Sequence, residues 1–252
     1  MYKIGITEAG DAGLDLSWVL KLPFVDGAVV ITKKITPQFI EAALTNKDKL
    51  ILHATITGYG GTILEPNVPF FADELDLVCD LVNRGFPKEK VVIRVDPIIP
   101  TVKGFAAAGT ILRESIKKGF ERFRVSLIDM YPHVRERFVQ HGLPLPYDGK
   151  FSPDDVHFRM ATNMFETLKK QFTADGKKLR IEACAEPRLK GVEHTGCISA
   201  YDLTLLGLDP SDTDSSGPQR RNCLCYSGKT ELLTNRRPCP NGCLYCYWRS
   251  KI

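Results

Sequence analysis

Cys239, Cys243 and Cys246 give the spacing C-x3-C-x2-C inside the stretch CPNGCLYCYWRSKI, residues 239–252. A tetrahedral zinc site takes four ligands, usually from two close pairs. Three thiolates at this spacing, with no fourth nearby, suit a cubane iron–sulfur cluster that leaves one iron open. An open iron can bind a small chelating ligand. Pro240 and Gly242 help such a loop wrap tightly, since glycine accepts a positive φ. Tyr245, just before the third cysteine, offers a ring that can pack against a bound adenine.

The remaining composition sets the frame for that chemistry. The chain has 252 residues, 43% of them hydrophobic and 25% charged, the profile of an ordinary globular protein of one large or two small domains. No run of eighteen or more apolar residues appears, so no membrane span is expected. MYKIGITEAGDAG lacks the basic stretch and apolar core of a secretory signal, so a cytoplasmic location is expected. In a reducing compartment, eight cysteines argue for metal or redox chemistry more than for disulfides. No G-x4-G-K-[ST], H-E-x-x-H or G-x-S-x-G is present, which removes the phosphate-loop, zinc-protease and serine-hydrolase classes.

Charge gathers where the thiols gather. Residues 217–252 carry Arg220, Arg221, Lys229, Arg236, Arg237, Arg249 and Lys251 against one acid, Glu231. That segment is +6 in a chain of +4, leaving −2 for the rest. Two readings fit: compensation for anionic thiolates, or a surface for an anionic substrate.

These groups need a scaffold, and the pattern supplies one. Short β-branched runs (2–7, 27–32, 50–58, 91–99, 123–128, 179–185 and 231–235) alternate with helical patterns at 37–46, 68–85, 106–119 and 152–172. In the second helix Phe71, Leu75, Val78, Cys79 and Val82 share a face, so Cys79 reads as a core residue. Ser152 reads as the N-cap of the last helix, with Pro153 in its first turn. Near-continuous apolar strands alternating with helices predict a parallel sheet in an α/β protein, a full or partial β/α barrel. Its working residues then lie at the C-terminal ends of strands. Residues 1–208 form the barrel core. DPSDTDSSGPQRRN, 209–222, reads as a linker, and 209–252 as linker plus cysteine-rich segment of the same domain.

CPNGCLYC resembles the signature of radical S-adenosylmethionine enzymes. Together with TGYGGTILEPNVP (57–69), RVDPIIP (94–100), SLIDMY (126–131), EACAE (182–186) and QRRNCLC (219–225), it resembles a radical-SAM-like family that carries its cluster loop at the C-terminus. Most of that superfamily carries the loop after the first strand. RVDPIIP is also distantly similar to spore photoproduct lyase. The segment after the first strand departs from the family pattern: ITEAGDAGLD stands where an Arg-Arg-Thr-Asp-like stretch is expected.

The resemblance implies a circularly permuted barrel in which ELLTN, 231–235, is the usual first strand moved to the end of the chain. It implies a 4Fe–4S cluster on Cys239, Cys243 and Cys246 that reductively cleaves S-adenosylmethionine. The resulting 5′-deoxyadenosyl radical takes hydrogen from a substrate, with a reductant such as flavodoxin or ferredoxin supplying the electron. It also places cysteines near Cys184, Cys197, Cys223 and Cys225, which implies an auxiliary 4Fe–4S cluster, with a zinc site on the same four ligands as the alternative. Strand ends supply the remaining candidates. Arg94, Asp96, Tyr59 and Glu186 are assigned to catalysis. Thr57, Ser126, Asp129 and Tyr245 are assigned to cofactor binding, with Arg94 able to meet a carboxylate and Asp96 or Ser126 ribose hydroxyls. His194 lies near Cys197 but reads as a surface or structural histidine. Tyr247 and Trp248 beside the basic residues suggest a nucleobase substrate, in DNA, RNA or a nucleotide. The alternative is a non-catalytic iron–sulfur or zinc protein that binds nucleic acid or a partner through its basic segment.

Overall fold

The computed structural model describes residues 1–211, 223–233 and 239–248. Its strands are β1 (Ile4–Ile6), β2 (Gly27–Thr32), β3 (Leu50–Thr55), β4 (Val91–Ile98), β5 (Arg122–Leu127), β6 (Arg180–Ala183), β7 (Glu193–His194) and β8 (Lys229–Glu231). All eight lie parallel in one sheet, ordered β7-β6-β5-β4-β3-β2-β1-β8. This is an α/β fold whose sheet is compatible with a partial barrel. The last strand sits beside the first, Ile4 opposite Lys229 and Ile6 opposite Glu231. Six strands, β1 to β6, fall where the apolar runs predict them. β8 begins two residues before ELLTN and ends at Glu231; Thr234 and Asn235 lie outside the described residues. β7 has no counterpart in the sequence reading, because its two exposed residues carry no apolar pattern.

Both faces of the sheet are covered, which is why its strands read as unbroken apolar runs. Ala28, Val30, Leu52, Ile93, Val95, Phe123 and Val125 point outward into the core shared with the helices. Ile4, Ile6, Val29, Ile31, Ile51 and Val92 point to the inner face, where Ile198, Leu203 and Tyr226 join them. The alternation follows from the period of two along each strand.

The helices are α1 (Pro37–Thr45), α2 (Phe71–Asn83), α3 (Val102–Lys117), α4 (Pro132–Gln140), α5 (Asp155–Ala174) and α6 (Ala200–Leu205). Thr36 caps α1 by accepting from the Phe39 amide, and Pro37 opens the first turn. α3 starts four residues before the expected run because Thr101 caps it, accepting from the Gly104 amide at 3.0 Å. Ser152 is not the cap of α5: Asp154 holds that position, and the Ser152 hydroxyl donates to Asp129 at 2.7 Å. Cys79 packs half-buried against the outer core. α4 and α6 lie outside the predicted elements. α4 is predominantly polar, and α6 is six residues long, held by a capping box between Ser199 and Asp202. Among the described residues no helix is long and apolar enough to cross a membrane.

The inner face turns from apolar to charged across the sheet. On β5 and β6, Arg122, Arg124 and Arg180 surround the fully buried Glu182 at 3.1, 2.9 and 2.9 Å. Asp202 of α6 takes the second side of Arg122 at 2.7 Å. Tyr201 covers Arg180 and Arg122 with its ring, 4.0 and 5.0 Å from the guanidinium carbons.

On the outer side, Glu74 of α2 is buried and accepts from the Ile35 amide at 2.7 Å. Burial, with a contribution from Asp11, pushes its carboxyl from 4.5 up to about 8, against the pull of the Ile35 bond. A carboxyl whose folded pKa is raised keeps its full contribution below the unfolded value and loses it as pH rises through the folded one. Glu74→Gln should therefore gain on the parent between about pH 4.5 and pH 8. The gain should be on the order of 1 kcal/mol per pH unit. Denaturant unfolding of both proteins across that range checks this, and a difference that stays flat with pH contradicts the assignment.

Candidate metal centres and the cleft between them

The loop 239–248 lies against three other segments. Asn67, in the loop after β3, donates to the Pro240 carbonyl at 2.8 Å, and the Leu244 amide donates to the Leu64 carbonyl at 3.0 Å. From α4, Arg137 donates to the Cys246 carbonyl at 2.5 Å. From the segment after β1, Asp11 accepts from the Asn241 side chain at 2.6 Å. Asp11 also accepts from the Gly13 and Lys33 amides and the Thr32 hydroxyl, so one buried carboxylate joins β1, β2 and the loop. Within the loop Gly242 has φ +66°, the left-handed conformation that the tight wrap requires, and its amide donates to the Cys239 carbonyl at 3.2 Å.

Beneath the loop is a second buried polar group. Lys33, just past the end of β2, donates to Glu65 at 2.8 Å and to the Tyr245 hydroxyl at 2.9 Å. Tyr245 donates in turn to Glu65, and Thr57 donates to the other Glu65 oxygen at 2.7 Å. Burial pushes the Lys33 ammonium down, but Glu65 and the Cys243 sulfur outweigh it and hold it above its usual value. Burial pushes the Cys243 thiol up to about 12, against the pull of Lys33. The Tyr245 ring, expected from the sequence to meet an adenine, is enclosed by Tyr59, Ile99 and Ile128 and meets Tyr59 edge-on at 6.3 Å. The Tyr59 hydroxyl accepts from the Ile99 amide at 2.9 Å. Tyr59 and Thr57 therefore support the loop from below.

Arg94, Asp96 and Ser126 come together as the sequence places them, at neighbouring strand ends. Arg94 Nε donates to Asp96 at 2.7 Å, and the Ser126 hydroxyl donates to the other Asp96 oxygen. Burial pushes the Asp96 carboxyl up, but Arg94, Ser126 and Lys33 together hold it below the usual range. The Asp96–Pro97 peptide is cis. Glu8, just past β1, pairs with Lys229 of β8 at 2.8 Å. Burial first, then the neighbouring Cys197, push its carboxyl up to about 7, against the pull of Lys229. Tyr247 feels Glu8, Arg94 and Asp96 from its place in the cysteine loop. Exposed Tyr247 and Trp248 stand at the rim, Tyr247 stacked on Tyr131 at 5.8 Å and Trp248 tilted against it at 5.4 Å. The result is a group of polar side chains at the C-terminal side of the sheet, with the cysteine loop beside it.

The second thiol group is that of Cys184, Cys223 and Cys225, whose ligand atoms all lie within 4.8 Å of one another. Cys197 brings its sulfur to 3.8 Å from that of Cys184, and Cys223 and Cys225 are 2.6 Å apart. All four cysteines assigned to a second site thus converge. Thiol contacts from Cys184 and Cys197 lower the pKa of Cys225, while contacts from Cys197, Cys223 and Cys225 raise that of Cys184. Ala185, between Cys184 and Glu186, has φ +55°. A left-handed alanine costs about 1 kcal/mol and marks a backbone bent to aim its neighbours.

Other assigned residues have local partners of their own. Glu186 accepts from the Leu127 amide at 3.3 Å and so holds the end of β5. Asp129 accepts from Ser152 and anchors the loop before α5. His194 is exposed on β7, paired with Ala183. Of the basic residues, Lys229 lies 3.8 Å from the Cys225 sulfur, as the charge-compensation reading expects. Arg220, Arg221, Arg236, Arg237, Arg249 and Lys251 lie outside the described residues. Lys33, Glu65, Glu8 and Asp11 are absent from the sequence assignments. Glu8 and Lys33 each sit one or two residues past an apolar strand, a position the sequence alone marks.

Because Asp11 is the joint between β1, β2 and the loop, Asp11→Ala should release the loop before it unfolds the sheet. Losing a buried acceptor with several donors costs about 1–3 kcal/mol locally. The metal-free variant should then show Cys243 alkylated by a maleimide about tenfold or more faster than the parent. Peptide mapping reads this, and Cys79 serves as the internal control. Equal rates at Cys243 would show that the loop is held without Asp11.

Among curated proteins none matches the chain. Of solved structures, a Thermomonospora fusca β-mannanase in complex with mannohexaose is similar at 12% identity, over 83% of this chain and 76% of that one, with a TM-score of 0.35. That likeness is too low to bear on fold or function. A family profile matches residues 17–248, nearly the whole chain and both cysteine groups, and the chain therefore belongs to the family described as a domain of unknown function, DUF1848.

Proposed function

We propose that the protein is a radical S-adenosylmethionine enzyme. The observation that carries this reading is the C-x3-C-x2-C loop held beside a group of polar side chains on the C-terminal side of a parallel sheet. The three loop sulfurs influence one another electrostatically. Yet they are not among the residues that bring three ligand atoms within 4.8 Å. Thiolates set apart in this way suit a cluster, whose ligands bind different irons, better than one ion. Cys239, Cys243 and Cys246 would hold a 4Fe–4S cluster, which would supply the electron for reductive cleavage of S-adenosylmethionine.

The chain's own residues have separable tasks on this reading. Lys33 places a buried positive charge beside Cys243 and offsets the charge of the thiolates. Asp11 and Asn241 fix the loop's height above the strands. Arg94, held by Asp96, presents a guanidinium to an amino-acid carboxylate, and Asp96 and Ser126 present oxygens to ribose hydroxyls. β8 then corresponds to the usual first strand of a radical-SAM barrel, moved behind the last. An external reductant of the flavodoxin or ferredoxin class supplies the electron.

For the substrate we favour a nucleobase. The Tyr131–Tyr247 stack with Trp248 beside it gives an exposed aromatic platform at the rim. Base–aromatic stacking contributes about 1–3 kcal/mol per base. Trp248→Ala should weaken binding of a single-stranded oligonucleotide by about tenfold or more. That binding should also fall steeply with salt. Fluorescence anisotropy at several salt concentrations checks both, and no binding at low salt points to a small metabolite or peptide instead.

The central test is anaerobic. After reconstitution with iron and sulfide, dithionite and S-adenosylmethionine should yield 5′-deoxyadenosine slowly without substrate. Cys243→Ala should abolish the product and remove about four irons per chain. Cys79→Ser should leave both unchanged. Product formed without Cys243 would end the radical reading in favour of a non-catalytic metal protein.

A further inference from the structure

Among the described residues, the four-cysteine group lies between the two edge strands of the sheet. β7 and β8 stand at opposite ends of the strand order. Cys184 follows directly on β6, and Cys197 lies three residues past β7, so both belong to one edge. Cys223 and Cys225 precede β8 by a few residues and belong to the other. The two edges approach closely at this point. Gly196 packs so tightly on the other strand's approach that an added Cβ would stand 2.1 Å from the Leu224 carbonyl oxygen and 3.0 Å from Cys225 Cα. Tyr226 and Ile198, one from each side, pack in the same inner cluster.

The sulfur spacing distinguishes the occupants that four cysteines allow. Around a single tetrahedral ion with bonds of about 2.3 Å, neighbouring sulfurs lie about 3.8 Å apart. Cys184 and Cys197 are 3.8 Å apart, Cys223 and Cys225 are closer at 2.6 Å, and Cys184, Cys223 and Cys225 all lie within 4.8 Å of one another, so the group is compact. A cubane cluster has each thiolate on a different iron and needs them set wider. The surroundings suit a compact anionic centre. Lys229 Nζ is 3.8 Å from the Cys225 sulfur, and Arg124 binds the Gly196 carbonyl at 2.6 Å, one residue from Cys197. Such outer partners orient the ligands and balance their charge.

The geometry points to one zinc ion bound by Cys184, Cys197, Cys223 and Cys225, which staples the β6–β7 edge of the sheet to the segment leading into β8. Four protein ligands leave no open position, the pattern of a structural zinc site. The ion joins two edges that hydrogen bonds leave apart and so fixes where β8 and its cysteine loop stand. This role does not depend on the radical reading, since it concerns only the seam.

The full chain purified without added metal should contain about one zinc, by mass spectrometry of the metal. Cys243→Ala should keep it, and the double variant Cys223→Ser with Cys225→Ser should lose it. Cobalt(II) in place of zinc should give the intense visible bands of a tetrahedral tetrathiolate. In hydrogen exchange, Cys197→Ser should lose protection at Lys229–Glu231 by about tenfold or more, while Leu50–Thr55 in the middle of the sheet stays protected. If the double variant does not fold, zinc content and the cobalt spectrum of the parent chain still decide. About eight irons per chain after anaerobic isolation, no second metal, or β8 protection unchanged on losing the ion would each overturn the proposal.

Discussion

Three backbone-paired residues, Lys229–Glu231 against Ile4–Ile6, decide what this fold can present. A parallel sheet puts the carboxyl ends of all its strands on one side. Setting the last strand beside the first therefore delivers the cysteine loop to the same side as Glu8, Lys33, Arg94 and Ser126. Glu231 secures the join with its side chain, accepting from the Glu8 and Ala9 amides and from Leu233. With that pairing in place, Asp11 can reach Asn241 and Lys33 can reach Tyr245.

The charged half of the inner face is the structural cost of this arrangement. Glu182 is fully buried among three arginines, and Asp202 shares Arg122 with it. Removing one member of such a network leaves a buried charge unmatched and is strongly destabilising, whereas the intact network contributes little net stability. Its use is geometric. It holds β5 and β6 in register and ties α6 to them, and Arg124 extends it to the Gly196 carbonyl beside Cys197. His53, on the neighbouring inner face, is kept neutral by burial and by Arg124, Arg94 and Arg122.

Elements with a strong period were legible in the amino-acid sequence; pairings across the chain were not. β2 matches its apolar run residue for residue, and α1 and α2 follow their caps and stripes closely. α4 and α6 escaped because a polar surface helix and a six-residue helix carry too little pattern. Ser152 looked like a cap, which would accept from a helix amide, but its hydroxyl donates to Asp129 instead, a choice only tertiary contact can make. Cysteines were legible because their spacing is chemistry in itself. Asp11 was not, because its partner Asn241 lies 230 residues away. Lys33 and Glu8 were within reach of the strand-end rule, which extends to β1 and β2.

The wide separation of β1 and β8 in sequence also fixes the order in which the molecule can be put together. Loop-closure entropy must be met before distant contacts reward it, so pairings of high sequence separation form late. β1 to β6 can assemble as their residues emerge from the ribosome, each strand beside its predecessor. Both thiol groups need residues beyond 222, so neither is complete until nearly all of the described chain has been synthesised. Until then Cys184 and Cys197 stand at an unfinished edge, open to any thiophilic ion in the cell. On the proposed metal readings, loading of either group comes late in synthesis, and the nascent chain is the form most exposed to receiving the wrong metal.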